Sequence, residues 1–139
     1  MDIDLQWGGF YACRESDAKP GEYGLIRILD FNRDAYHAAL YQERFDQIPS
    51  IESVQDLHPF IGHVPIDARG LLNYEELILI GGPVLTEDDL VGYRIYLENH
   101  EVPNSEIDKL VIKLADFGKD KPLKLRLSLV NNELMIQER

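Results

Sequence analysis

From residue 123 to residue 136 the chain alternates. Leu123, Leu125, Leu127 and Leu129 occupy the odd positions, Lys124, Arg126 and Ser128 lie between them, and Asn131-Asn132 follows. Successive side chains of a strand point to opposite faces, so this pattern writes one apolar face and one polar face. Asparagine tolerates the left-handed backbone region, and a type I′ turn needs two positive φ angles in a row. A two-residue loop at Asn131-Asn132 sets Leu129 opposite Leu134 and Leu127 opposite Ile136. Turn chemistry and alternation therefore agree on an antiparallel hairpin, with Lys124 and Arg126 expected on its solvated face.

Upstream the period changes. Ile107, Leu110, Val111, Leu114 and Phe117 recur at helical spacing, Ser105 and Asp108 form a capping pair, and Gly118 fits the position just past a helix end. This predicts a helix near 105–117. Thr86 and Asp89 make a second capping box, with Leu85 and Leu90 at the staple positions. Glu87, Asp88 and Asp89 suit the positive end of the helix dipole. Leu90, Tyr93, Tyr96 and Leu97 then share a face, which predicts a helix near 86–99, closed before Pro103.

The N-terminal half reads mostly as strands. Leu5 to Ala12 is expected to be one strand with a bulge or a close backbone approach at Gly8-Gly9. Asp17 to Glu22, with Pro20-Gly21, reads as a turn. Tyr23 to Phe31 is the next strand. Tyr23, Leu25, Arg27, Leu29 and Phe31 fall on one face, and Gly24, Ile26, Ile28 and Asp30 on the other. Large apolar groups on both faces make it a central strand. Residues 33–46 admit two readings: a helix capped by Asn32, or a turn at Asn32 to Asp34 followed by a strand from Tyr36 to Phe45. The strand is favoured, because a helix would put Glu43, Arg44 and Gln47 on the face set by Tyr36 and Leu40. In the strand, Tyr36, Ala38 and Leu40 share one face and His37, Ala39 and Tyr41 the other.

Ile51, Val54 and Leu57 suit a short helix capped by Ser50 and stopped by Pro59. Phe60 to Ile66 reads as an edge strand, because Pro65 cannot donate to a ladder. Asp67 is expected to cap one helical turn through Leu72. Leu77 to Ile80 suits a short buried strand, ended by Gly81-Gly82-Pro83. The predicted fold class is α+β in a single domain: a mainly antiparallel sheet with N-terminal strands and a C-terminal hairpin, plus helices near 86–99 and 105–117. A chain of 139 residues is long enough to bury such a core without staples.

Composition narrows the partners. The lone Cys13 has no internal partner, which fits a reducing compartment, and its neighbours Phe10-Tyr11-Ala12 mark it as a buried hydrophobe. No stretch approaches the ~20 apolar residues of a membrane span. The start, Met1-Asp2-Ile3-Asp4, is acidic where a signal peptide is basic. A cytoplasmic protein is the expectation. The net charge of −11 disfavours nucleic acid and anionic membranes. That charge is uneven: residues 74–108 hold nine acids against Arg94 alone, whereas residues 109–139 carry a net +3. The expected partner is a basic protein docking on Glu75, Glu76, Glu87, Asp88, Asp89, Glu98 and Glu101, with salt-sensitive affinity. The sequence leaves the oligomeric state open.

No residue set calls for catalysis, a metal or a cofactor. His58, His63 and Asp67 lie close in sequence, but H-x4-H matches no common zinc spacing, and Pro59 and Pro65 prevent a shared helical face. Glu75-Glu76 and Asp88-Asp89 are adjacent pairs whose side chains diverge on a helix. Gly81-Gly82-Pro83 lacks the lysine and further glycines of a phosphate loop. No Ser–His–Asp or Cys–His arrangement has recognisable local context. Trp7, Tyr11, Tyr23, Tyr36 and Tyr41 are expected to fill the core of the sheet. The alternative function is an enzyme or small-molecule binder with an aromatic pocket at the sheet rim near Trp7, Tyr23 and Tyr41.

The stretch Tyr23-Gly24-Leu25-Ile26-Arg27-Ile28-Leu29, followed by Tyr36-His37-Ala38-Ala39-Leu40-Tyr41 and Phe45-Asp46-Gln47-Ile48-Pro49, resembles the first hairpin of some small bacterial immunity proteins. Those proteins neutralise polymorphic toxins in the producing cell. The resemblance covers residues 23–49 and is a strand pattern without a diagnostic motif. It implies a cytoplasmic antitoxin that binds a toxin domain, and it carries over no functional residues.

Overall fold

Where the alternation is strongest, strands form and pair antiparallel. The structure, a computed structural model, describes residues 3–6, 8–15, 22–32, 35–67, 70, 74–82, 85–116, 124–130 and 133–138. In chain order the strands are β1 (Ile3–Gln6), β2 (Phe10–Arg14), β3 (Gly24–Asn32), β4 (Ala35–Leu40), β5 (Ile61–Asp67), β6 (Glu76–Gly81), β7 (Lys124–Val130) and β8 (Glu133–Glu138). Helix α1 (Ile51–Val54) precedes β5. A single 3₁₀ turn (Asp88–Leu90) leads into α2 (Val91–Asn99), and α3 (Asn104–Asp116) follows. The strands build two antiparallel sheets, one of five strands in the order β5-β4-β3-β2-β6 and one of three in the order β1-β7-β8. The chain is α+β and mainly sheet.

The C-terminal hairpin has the expected register, with Leu129 opposite Leu134 and Leu127 opposite Ile136. Its turn at residues 131–132 lies outside the described residues, as do all but Glu22 of the turn expected from Asp17 to Glu22, most of the turn after Asp67, and Phe117 and Gly118. The strand expected over Leu5 to Ala12 is instead two strands in two sheets. Gly8, at φ 74°, and Gly9 make the break. Gly8 N–H donates to the Ile28 carbonyl at 2.7 Å, and Ile28 N–H to the Gly9 carbonyl at 3.0 Å. The end of β6 presses on the same spot, since a Cβ on Gly82 would overlap the Gly8 carbonyl oxygen. The close backbone approach is therefore there, between three segments rather than within one strand.

β3 is central, and β4 is the strand favoured over a helix, ending at Leu40. An isolated bridge between Tyr23 and Phe45 extends this pairing by one step. The expected faces hold along β4: Tyr36, Ala38 and Leu40 join one core cluster, while Ala39 and Tyr41 join the other. They fail in β3 at one point. The β3–β4 register shifts between Ile28 and Asp30, a bulge that leaves Leu29 without an opposite residue. Asp30 is thereby turned to the face of Leu25 and Leu29, where Tyr93 meets it.

The larger core lies between this face and the helices. Phe10, Leu25, Leu29, Val54, Leu85, Leu90, Tyr93, Ile107 and Leu114 are all at most 3% exposed. β5 is an edge strand, as Pro65 requires. β6 lies at the other edge and is half-buried, not wholly buried as its apolar run suggested. In the loop before α1, Ser50 makes no side-chain cap; Ser53 Oγ donates to the Ser50 carbonyl at 2.8 Å instead. α3 starts at Asn104, one residue early, so Ser105 falls inside its first turn and Asp108 is drawn to Arg94 rather than to a cap.

Candidate functional site

The entry into α2 is fixed locally. Thr86 N–H donates to Asp89 Oδ2 at 2.9 Å and Asp89 N–H donates back to Thr86 Oγ1 at 3.3 Å, a reciprocal capping box. Leu85 and Leu90 are both buried, as a staple requires. Asp89 also meets Arg27 at 3.3 Å. Arg27 is 4% exposed, donates through Nε to the Gly8 carbonyl and lies 4.7 Å over the Phe10 ring. A buried guanidinium in the middle of the sheet therefore anchors the first turn of the helix.

The inner side of α2 rests on a stack of rings. Tyr93 stacks on His37 with centroids 4.4 Å apart and on His63 at 5.2 Å, and Tyr96 tilts over both. His37 Nδ1 and His63 Nε2 are 2.8 Å apart, so one ring donates to the other. Tyr93 O–H donates to Asp30 Oδ2 at 2.7 Å. The His100 ring lies tilted against Tyr96, with centroids 4.1 Å apart. Gly92 lets the helix approach β5 closely, since a Cβ there would lie 3.0 Å from His63 Cβ. Burial lowers the basicity of both histidines. His63 is brought down to about 4, with the neighbouring His37 and His100 adding to the effect. For His37 burial outweighs the opposing pull of Asp30.

The sequence weighed His63 with His58 and Asp67; the sheet pairs it with His37 instead. Alternation had put His37 on the face of Ala39 and Tyr41, but nothing local brought β5 beside it. No group of three metal-ligating side chains occurs among the described residues.

The acidic residues separate into two groups. Glu75 and Glu76 lie at the start of β6, where Arg14 meets Glu76 at 2.6 Å and Glu75 at 3.4 Å, and Tyr23 O–H donates to Glu76. These bonds, Arg14 first, hold the Glu76 carboxyl below its usual range. The other group lies on α2 and on the turns at its two ends. Glu87, Asp88, Glu98 and Glu101 are exposed, and Asp89 is bound to Arg27. Arg94 spans to Glu98 at 3.4 Å and to Asp108 of α3 at 2.6 Å. Glu87, Asp88 and Glu101 make no ion pair among the described residues. Among the described side chains, the arginines that meet this segment come from β2, β3 and α2 itself. Four sheet spacings, about 19 Å, separate β6 from β5, on which α2 rests.

The outer side of α2 is not purely polar. Val91 is 52% exposed and Ile95 53%, and with Asp88 and Glu98 they follow one another at spacings of three and four along the helix. Across the Arg94–Asp108 bridge, α3 exposes Ile112, 58%, one turn beyond Asp108. A helix face left apolar at its centre and acidic at both ends is what a partner's surface could cover.

Of the aromatic residues weighed for the core or for a pocket, Tyr11, Tyr36 and Tyr41 are buried, Tyr23 is half-buried with its hydroxyl on Glu76, and Trp7 lies outside the described residues. A half-open cleft of about 380 Å³ does lie beside Tyr41, lined by Cys13, Glu15, Glu22, Arg44 and Tyr74 among others. Burial pushes the Cys13 thiol up to about 11 against the pull of Arg44, which keeps it protonated at neutral pH. No helix among the described residues is long and apolar enough to cross a membrane. Comparison with protein-family models, with curated proteins and with solved structures gives no match to this chain.

Proposed function

We propose that this chain is a cytoplasmic protein-binding module that docks the outer face of α2 on a basic protein. The observation that carries the reading is the coincidence, on one exposed helix face, of Val91 and Ile95 with Glu87, Asp88 and Glu98. The aliphatic side chains supply contact that excludes water, and the carboxylates speed encounter and select a partner of opposite charge. Glu75 and Glu76 are engaged by Arg14 at the far edge of the sheet and take no part. A toxin domain held by its immunity protein would be one instance, in keeping with the strand pattern of residues 23–49.

The test is capture from the cells that make the protein. Tagged chain is used at low salt, beside an Ile95→Asp variant, an Asp88→Lys/Glu98→Lys variant and a Glu75→Lys control. A basic protein retained by the wild type and the control, lost from both face variants and released by about 0.3 M salt, is the expected result. Equal capture by all four forms, or none by any, would sink the reading.

A further inference from the structure

We propose that the hydrogen-bonded pair His37–His63 is a proton-operated latch that holds α2, and with it the docking face, against the edge of the sheet. This rests on the reading of α2 as the docking element and adds its regulation. The same helix carries both sides of the device. Val91 and Ile95 face outward, while Gly92, Tyr93 and Tyr96 press on His63 and His37. β4 and β5 are joined by a backbone ladder, whereas His63 meets α2 through ring stacking and the Gly92 contact. The helix–sheet seam, not the ladder, is therefore the part that a change at the rings loosens.

The pair needs one ring nitrogen as acceptor at its 2.8 Å contact. One added proton keeps a donor and an acceptor; a second removes the acceptor and sets two cations at hydrogen-bond distance. The groups facing the pair are Asp30 from β3, Tyr93 and Tyr96 from α2, and His100 at the helix end. Asp30 and the faces of the tyrosines attract an imidazolium. Against them stand the burial of His37, 3% exposed, and the repulsion of His63 by His100. His63 is the half-buried member, so it can turn out to water once charged, and it takes its stacking on Tyr93 with it.

The sign follows from the lowered basicity of both rings. The latch is fully closed above pH ~6.5, the value of a free histidine, and weakens as pH falls toward the folded value of about 4 for His63. If His63 regains its free value when α2 lifts, opening rises roughly twentyfold between pH 7 and pH 5, and about tenfold after allowance for solvent screening.

The experiment is amide hydrogen exchange on the full chain, corrected for the intrinsic pH dependence of exchange, with NMR titration of the histidine rings. Between pH 7 and pH 5, α2 amides should lose about ten times more protection than β3 amides, and His63→Phe, which keeps a ring without its proton site, should cut that loss below threefold. Parallel loss in α2 and β3 of the wild type overturns the latch even if His63→Phe fails to fold. So does an undiminished loss in a folded His63→Phe, or titration of His37 and His63 at or above 6.5. These readouts need no partner. A latch that opens while no basic protein is captured at any pH refutes the docking reading alone. Capture that is equal at pH 7 and pH 5, with the latch open at pH 5, refutes the coupling.

Discussion

Asp30 is the residue whose role depends most on a detail of the backbone. Plain alternation would send it to the face of Ile26 and Ile28; the bulge at Leu29 turns it toward Tyr93. It is 6% exposed, and the Tyr93 hydroxyl donates to it at 2.7 Å. A buried carboxylate that loses a donor is left short of solvation, so Tyr93→Phe should cost about 1–2 kcal/mol. Urea unfolding at pH 7 measures this as a lower midpoint with an unchanged slope, and an unchanged midpoint would mean the bond contributes nothing net. The bulge was not legible in the sequence. An extra residue in one strand is defined only against its partner, and Ile28, Leu29 and Asp30 carry no local mark of it. His37 was placed on the correct face, yet its contact with His63 depends on β4 and β5 being neighbours across a twenty-residue excursion that includes α1.

Among elements, those with their own end signals were read best. Thr86 and Asp89 cap as expected, and the pairs Leu127–Ile136 and Leu129–Leu134 follow from the position of Asn131-Asn132. Pro65 put β5 at an edge for the same kind of local reason. The element read worst was the first. An apolar run through Gly8-Gly9 looks like one strand, because alternation does not say which sheet each half joins. The contact between Gly82 and Gly8 belongs to this level, since it sets the end of β6 on the turn between β1 and β2. A methyl group at residue 82 has no room against backbone that is itself hydrogen-bonded to β3. Gly82→Ala should therefore destabilise by about 2–3 kcal/mol, as overpacked sites do. Its thermal midpoint beside that of the wild type checks this, and an equal or higher midpoint would show that the turn yields freely.

At the scale of the whole molecule, two sheets share one chain. The five-strand sheet has a large helix-covered core, and among the described residues the hairpin β7–β8 takes β1, from the other end of the sequence, as its third strand. Isolated two-stranded hairpins are marginal in water. Removing residues 1–6 should therefore lower the exchange protection of β7 about tenfold and leave β3 unchanged. Equal loss in both would show that the two sheets unfold together. Charge was legible as an amount but not as a distribution. The net −8 of residues 74–108 is divided between the two edges of a sheet; strand order brings Arg14 to Glu76, and helix packing brings Asp89 to Arg27 and Asp108 to Arg94. Strand order also explains why the ring stack is so well placed. The ladders on both flanks of β4 change step, between Ile28 and Asp30 on one side and between Ala38 and Leu40 on the other. Such offsets work like the teeth of a ratchet: β4 cannot creep along either neighbour without carrying an unmatched residue into a regular stretch. His37 is thus indexed by the backbone, and side-chain changes around it can alter how firmly α2 is gripped without altering where.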